Sequence, residues 1–175
     1  RLTIPMLTEE RRKELSKTVK KIGKSAFQKN KLKEVILPEG LEEIGTLAFN
    51  GNELISIEIP DSVVKMGEGT FSLNNISYAK LSKNMKTVPN GIFSRNLNLK
   101  NIDIPDGVET IGQSAFSGCP LESINIPNTV KAIGRYAFLS HRITTLEIPS
   151  SVETIEDQAF ASNKKFRYLK NLILN

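Results

Sequence analysis

The sequence predicts an α/β repeat solenoid of about seven 22-residue repeats over residues 18–175, opened by a short helical cap over residues 1–17. Three observations predict it. Phe27, Phe49, Phe71, Phe93, Phe116, Phe138 and Phe160 are spaced 22, 22, 22, 23, 22 and 22 residues apart. Between them recur stretches such as LISIEIP, LKNIDIP, LESINIP and ITTLEIP, in which apolar and polar residues alternate until a proline closes the run. The charge also divides along the chain. Residues 1–33 carry eleven Lys/Arg against three Glu, a net +8, while residues 34–175 carry thirteen against sixteen acids, a net −3. Such a split points to different origins or partners for the two parts.

Each repeat element has a physical reason. Alternation of period two predicts a strand with one buried face. Pro38, Pro60, Pro105, Pro127 and Pro149 cannot donate to a ladder and end the strand at a fixed place. Ala26, Ala48, Ala115, Ala137 and Ala159 precede a repeat phenylalanine, so a tight turn should send one ring inward per coil. Four residues before these alanines stand Ile22, Ile44, Ile111, Ile133 and Ile155, and glycine follows most of these positions, as Gly23, Gly45, Gly67, Gly112 and Gly134. That glycine slot is expected to need φ > 0 or a close backbone approach, although Pro89 and Glu156 stand there in two copies. One such unit cannot close a core. Stacked units bury a continuous one, roughly 30 Å long at a strand spacing of about 4.8 Å.

Composition narrows the classes. A 175-residue chain with 39% hydrophobic residues suits one core, and no apolar run approaches the roughly 18 residues of a membrane span. The chain opens at Arg1 without an initiator methionine or signal peptide, which leads us to expect a mature form or a fragment and leaves its compartment unread. A single cysteine, Cys119, excludes an internal disulfide framework.

The consensus L-x-x-I-x-I-P-x-x-V-x-x-I-G-x-x-A-F resembles the BspA-like leucine-rich repeat family over about residues 18–175. The resemblance implies a leucine-rich repeat superhelix, curved, with one short parallel strand per repeat on the concave side. It also implies a binding role, secreted or at a cell surface. Three copies depart from the pattern. ISYAKLSKNMKTVPNGIF loses the proline and the glycine, the next copy carries one extra residue near Asn96–Asn98, and NKKFRYLKNLILN breaks spacing before a last strand at about 169–175.

Cys119 and His141, the only cysteine and histidine, invite a catalytic reading. Both stand three residues after a repeat phenylalanine, where other copies hold Asn30, Asn52, Asn74, Asn96 and Asn163. In leucine-rich repeats this position turns inward and bonds backbone groups, and Asn, Cys and His can all serve there. A neighbouring Cys–His pair would still lack an orienting acid and an oxyanion hole, and two ligands are too few for a metal. MGEGTF holds a G-x-G, but its glycines fall in repeat slots. Asn75-Ile76-Ser77 is a formal glycosylation sequon. With no zinc, P-loop or nucleophile-elbow pattern, the expectation is a non-enzyme with no cofactor, no metal and no catalytic residue.

A ligand is expected on the concave strand face, through the residues flanking the second apolar position. These are Glu34 and Ile36, Ser56 and Glu58, Tyr78 and Lys80, Asn101 and Asp103, Ser123 and Asn125, and Thr145 and Glu147. The bland alternative is a solvated sheet. The functional alternative is a surface for a protein partner, with Tyr78 as its aromatic anchor.

IPMLTEERRKEL and VKK, within residues 1–21, resemble a stretch of bacterial ribosome recycling factor that leads from a hinge into a long helix of a three-helix bundle. By that resemblance Arg11 and Arg12 lie on the helix, but the rest of the bundle is missing. Thr8 as N-cap with Glu9 and Glu10 behind it predicts a short helix over about 8–16, too short to stand alone. Three alternatives follow for the segment. It is a cap on the first repeat, gained by fusion or grafting into a chimeric repeat scaffold. Or it is a basic arm through which Arg11, Arg12, Lys13, Lys17, Lys20 and Lys21 contact RNA or the ribosome. Or it is a disordered leader.

Overall fold

The computed structural model describes residues 18–162 and 168–175. In chain order its strands are β1 (Lys21–Ile22), β2 (Glu43–Ile44), β3 (Ser56–Glu58), β4 (Lys65–Met66), β5 (Tyr78–Lys80) and β6 (Thr87–Val88). They continue with β7 (Thr110–Ile111), β8 (Ala132–Ile133), β9 (Thr145–Ile148), β10 (Thr154–Ile155) and β11 (Asn171–Leu174). All pair in parallel, each with its equivalent one turn away. This is the expected solenoid. No α-helix occurs among the described residues, and the expected cap over 1–17 lies outside them.

The chain forms two ladders where one was expected. The L-x-x-I-x-I segments give β3–β5, β9–β11 and the single bridge Asp103↔Asn125. The V-x-x-I segments give a second, with β1, β2 and β4 in one sheet and β6, β7, β8 and β10 in another. The expectation of a strand in every L-x-x-I-x-I copy therefore holds only in part, since Glu34–Ile36 forms none.

The ladders break at successive junctions, the second between β4 and β6 and the first between β5 and Asn101, and the sequence departures explain it. At four junctions the glycine N–H donates to the carbonyl of the residue just before the equivalent slot, as in Gly45 N–H to Ile22 O at 2.8 Å. Pro89 has no N–H to give Met66, so β6 does not pair with β4. The extra residue near Asn96–Asn98 precedes Asn101, and that strand does not pair with β5. Side chains bridge the gap instead. The Asp61 carboxylate accepts from the Lys83 N–H at 2.8 Å, and Asn84 Nδ2 donates to the Asp61 carbonyl at 2.8 Å.

The phenylalanines run unbroken through the core. Their seven rings stack with centroids 4.9–6.1 Å apart and planes within 16°. Beside them runs an asparagine ladder. Asn74 Nδ2 donates to the carbonyls of Phe49 (3.0 Å) and Phe71 (3.1 Å), while its Oδ1 accepts from the buried Leu54 N–H at 3.0 Å. Asn52 and Asn96 do the same one turn either side.

The glycine slot is a close-approach site and not a left-handed one. A Cβ on Gly67 would lie 2.1 Å from the Thr46 backbone nitrogen of the preceding turn. The left-handed residues sit elsewhere, nearly all of them two before or two after a ring, and include Leu47 (φ 57°), Leu73 (φ 56°) and Tyr136 (φ 59°).

Candidate binding face

Alternation sets this face residue by residue. Ile57, Ala79, Ile102 and Leu146 point into the core, so their neighbours must face out. Glu34, Ser56, Glu58, Tyr78, Lys80, Asn101, Asp103, Ser123, Asn125, Thr145 and Glu147 are all exposed. Parallel register arranges them in rows. Ser56 lies beside Tyr78 and Glu58 beside Lys80, Asp103 beside Asn125, Thr145 beside Asn171 and Glu147 beside Ile173. The Ser123 hydroxyl donates to Asn101 Oδ1 at 3.1 Å, and Lys80 Nζ stands 3.8 Å from the Glu58 carboxylate.

Two shallow hollows lie on this surface and meet at Lys80. The first, about 410 Å³, is lined by the acidic residues Glu34, Glu39, Glu58 and Asp61, with Ile36 and Pro60 among its apolar lining. Lys80 is its only cation, so its field is negative. The second, about 360 Å³, is lined by Tyr78, Lys80, Lys83, Asp103 and Pro105. Tyr78 is 53% exposed there. The structure thus gathers Glu34, Ser56, Glu58, Tyr78, Lys80 and Asp103 into one neighbourhood. It leaves Asn101, Ser123, Asn125, Thr145 and Glu147 farther along the rows, outside both hollows.

Glu39, Asp61 and Lys83 were missed by the sequence reading. A signal existed, because the residue after the closing proline is acidic in three copies: Glu39, Asp61 and Asp106. The alternation rule stops at the proline and so passed over it.

Cys119 and His141 fill the asparagine slot. Cys119 Sγ donates to the Phe93 carbonyl at 3.1 Å, and burial pushes its thiol up to about 12, so almost no thiolate exists near neutrality. His141 Nδ1 accepts from the Ile143 N–H at 2.9 Å, which leaves Nε2 to donate to the Phe160 carbonyl at 3.0 Å. Burial holds this imidazole below its ordinary range, against the favourable effect of the carbonyl. Both ring nitrogens are committed to backbone, and neither residue meets the geometry of a nucleophile or base.

Of the six cations considered for nucleic acid, Lys20 and Lys21 pair with Glu42 at 3.2 Å and Glu43 at 2.8 Å. Glu43 is held below the ordinary carboxylate range by its hydrogen bond to Lys21. Arg11, Arg12, Lys13 and Lys17 lie outside the described residues, as does IPMLTEERRKEL, the longer part of the stretch that resembles recycling factor. Among the described residues no helix is long and apolar enough to cross a membrane.

Comparison with known proteins agrees with the fold. A leucine-rich repeat protein from Bacteroides ovatus ATCC 8483 superposes with a TM-score of 0.79 at 28% identity, over 89% of this chain and 43% of its own. One from Eubacterium ventriosum ATCC 27560 gives 0.68 at 28%, over 84% and 42%. A leucine rich cell surface protein from Faecalibacterium prausnitzii A2-165 gives 0.60 at 28%, over 84% and 33%. The chain therefore spans less than half the length of these structures. No curated protein matches it at a significant level. The profile of the BspA type leucine rich repeat region, six copies, matches residues 11–119 and 86–173. With repeat, register and neighbours in agreement, the chain belongs to the BspA type leucine-rich repeat family.

Proposed function

We propose that this chain is a non-catalytic protein-binding module that takes its partner on the L-x-x-I-x-I strand face. The observation that carries the reading is the acidic hollow between Glu34, Glu58 and Asp61, joined at Lys80 to the hollow beside exposed Tyr78. Carboxylates on a preformed surface favour a partner that presents lysine or arginine, and Tyr78 offers a rigid aromatic contact at low entropy cost. A non-catalytic role is supported by the commitment of Cys119 and His141 to the turn backbone. A secreted or cell-surface setting is part of the proposal, supported by the likeness to a protein described as a leucine rich cell surface protein.

The test is a peptide-display selection against the wild-type chain, followed by affinity measurement on a Glu58→Lys, Tyr78→Ala, Asp103→Lys variant. Selected peptides should be basic and should bind the variant at least about tenfold more weakly. Equal affinity for both proteins would move the site off this face.

A further inference from the structure

The V-x-x-I ladder is open at one interior junction. At the other five junctions the same three N–H groups tie each turn to the turn before it. Two successive N–H groups converge on one carbonyl, as Val64 and Lys65 do on Glu42 O at 3.1 and 3.2 Å. The following slot adds a third bond, as in Gly67 N–H to Ile44 O at 2.8 Å. Between β4 and β6 none of the three forms. Pro89 has no N–H, and its ring stands in the slot that elsewhere takes glycine for close approach. The Lys86 and Thr87 N–H groups therefore meet no acceptor among the described residues, and the Val64 and Met66 carbonyls meet no donor among them. The rest of the coil is clamped at this junction. β3 pairs with β5, Gly69 N–H donates to Asn90 O at 2.8 Å, and Phe71 N–H donates to Ile92 O at 3.0 Å.

The opening is a hollow of about 530 Å³, within the range of ligand pockets. It shares no lining residue with the two strand-face hollows. Side chains at its mouth depart from their columns. The equivalents of Val64 are Lys20, Glu42, Lys86, Glu109, Lys131 and Glu153, all charged, yet Val64 is apolar and 62% exposed. Met66 is half-buried where Ile44, Val88, Ile111 and Ile133 are buried. An apolar pair thus borders the one junction whose facing backbone edges leave each other unbonded. Lys65 and Lys86 stand at the rim against Glu68, and neither lysine makes an ion pair among the described residues.

We propose that the opening between β4 and β6 takes an extended segment of a partner polypeptide. A carbonyl of the segment accepts from the Lys86 and Thr87 N–H groups, and an N–H of the segment donates to the Val64 or Met66 carbonyl. A carboxylate or phosphate would satisfy β6 alone and would face the carbonyls of β4, whereas a peptide group satisfies both walls. This is strand addition at an interior edge. An apolar side chain of the segment packs on Val64 and Met66, and an acidic one beside it meets Lys65 and Lys86. The strand face favours a basic partner, so the two sites take different peptides and neither reading depends on the other.

A peptide-display selection tests it, with the full chain carrying Glu58→Lys, Tyr78→Ala and Asp103→Lys as bait, so that the strand face is altered from the start. Selected peptides should join an apolar to an acidic residue, and adding Val64→Lys should weaken their binding at least about tenfold. Lysine already stands at equivalent positions, as Lys20, Lys86 and Lys131, so this variant keeps the fold. Methylating the backbone nitrogens of a selected peptide should abolish binding. Hydrogen exchange gives a second readout. The Lys86 and Thr87 amides should exchange rapidly in the unliganded chain and become protected when the peptide binds. Pro89→Gly supplies the third N–H, and should protect the same amides without peptide while lowering peptide affinity about tenfold. Three results would overturn the proposal. No selected peptide could distinguish Val64→Lys or Pro89→Gly from the bait, or peptide could leave Lys86 and Thr87 exchange unchanged, which would assign the opening to water alone. Binding could also appear only after removal of residues 1–17, which would make those residues the occupant.

Discussion

One slot in the repeat accepts Asn, Cys or His because what it requires is a hydrogen bond to buried turn backbone, not a particular charge. Asn52, Asn74 and Asn96 each satisfy at least two carbonyls and one N–H, whereas Cys119 satisfies one carbonyl. His141 serves one carbonyl and one N–H, and it couples the fold to pH in the imidazole range. It is 1% exposed and neutral when folded. The unfolded chain takes up a proton near the ordinary imidazole value of 6.5, and the folded chain resists it. Stability should therefore rise with pH through that value and fall as pH drops below it, until the depressed folded value is passed. As His141 is the only histidine, His141→Asn should flatten urea midpoints measured between about pH 7 and pH 5.5, whereas wild type should lose stability across the same interval.

Spacing between turns sets the rules for the two ladders. Where backbone meets backbone, the slot takes glycine for lack of room, as Gly67 shows with 2.1 Å to Thr46. Gly67→Ala must push two turns apart or shift β4, at a cost of about 1–3 kcal/mol, read as a lower urea midpoint. The control is Gly23→Ala, which meets no described atom and should leave the midpoint unchanged. Left-handed turn positions behave differently. Leu47, Leu73 and Tyr136 occupy them without glycine, because the stacked turns over-determine the backbone there. Ion pairs along the ladder edges, such as Lys100 with Glu122 at 3.2 Å, are exposed and contribute little.

At the scale of the whole molecule, the turn that carries β5 and β6 keeps one ladder on each side, β3–β5 before it and β6–β7 after it, and lacks the other, while the phenylalanine stack crosses both junctions. Its longest steps are there, 5.8 Å between Phe71 and Phe93 and 6.1 Å between Phe93 and Phe116. Repeat arrays behave as nearest-neighbour chains, so a weak junction lowers cooperativity first. Phe93→Ala removes the buried ring that stacks across both of these junctions, at a cost of about 3–5 kcal/mol. It should turn a single thermal transition into two, followed by circular dichroism or calorimetry, and an undivided transition of lower midpoint would mean the halves remain coupled through the Asn96 bonds.

The sequence by itself determined the repeat, its period, the phenylalanine column, the recurring asparagine slot and the outward row from Glu34 to Glu147. Each follows from a local rule, namely alternation, proline as a stop, or recurrence at one spacing, and these rules act within a single turn. Other features were legible only as anomalies: Pro89, the extra residue near Asn96–Asn98 and the acid after the closing proline. Tertiary structure decided what they mean, because their effect falls on the neighbouring turn. The second ladder, the gap between β4 and β6, the reason for glycine at position 67 and the hollow shared by Glu34, Glu58 and Asp61 all depend on how one turn is set against the next. That setting is fixed by packing between residues about 22 apart, which no single repeat contains.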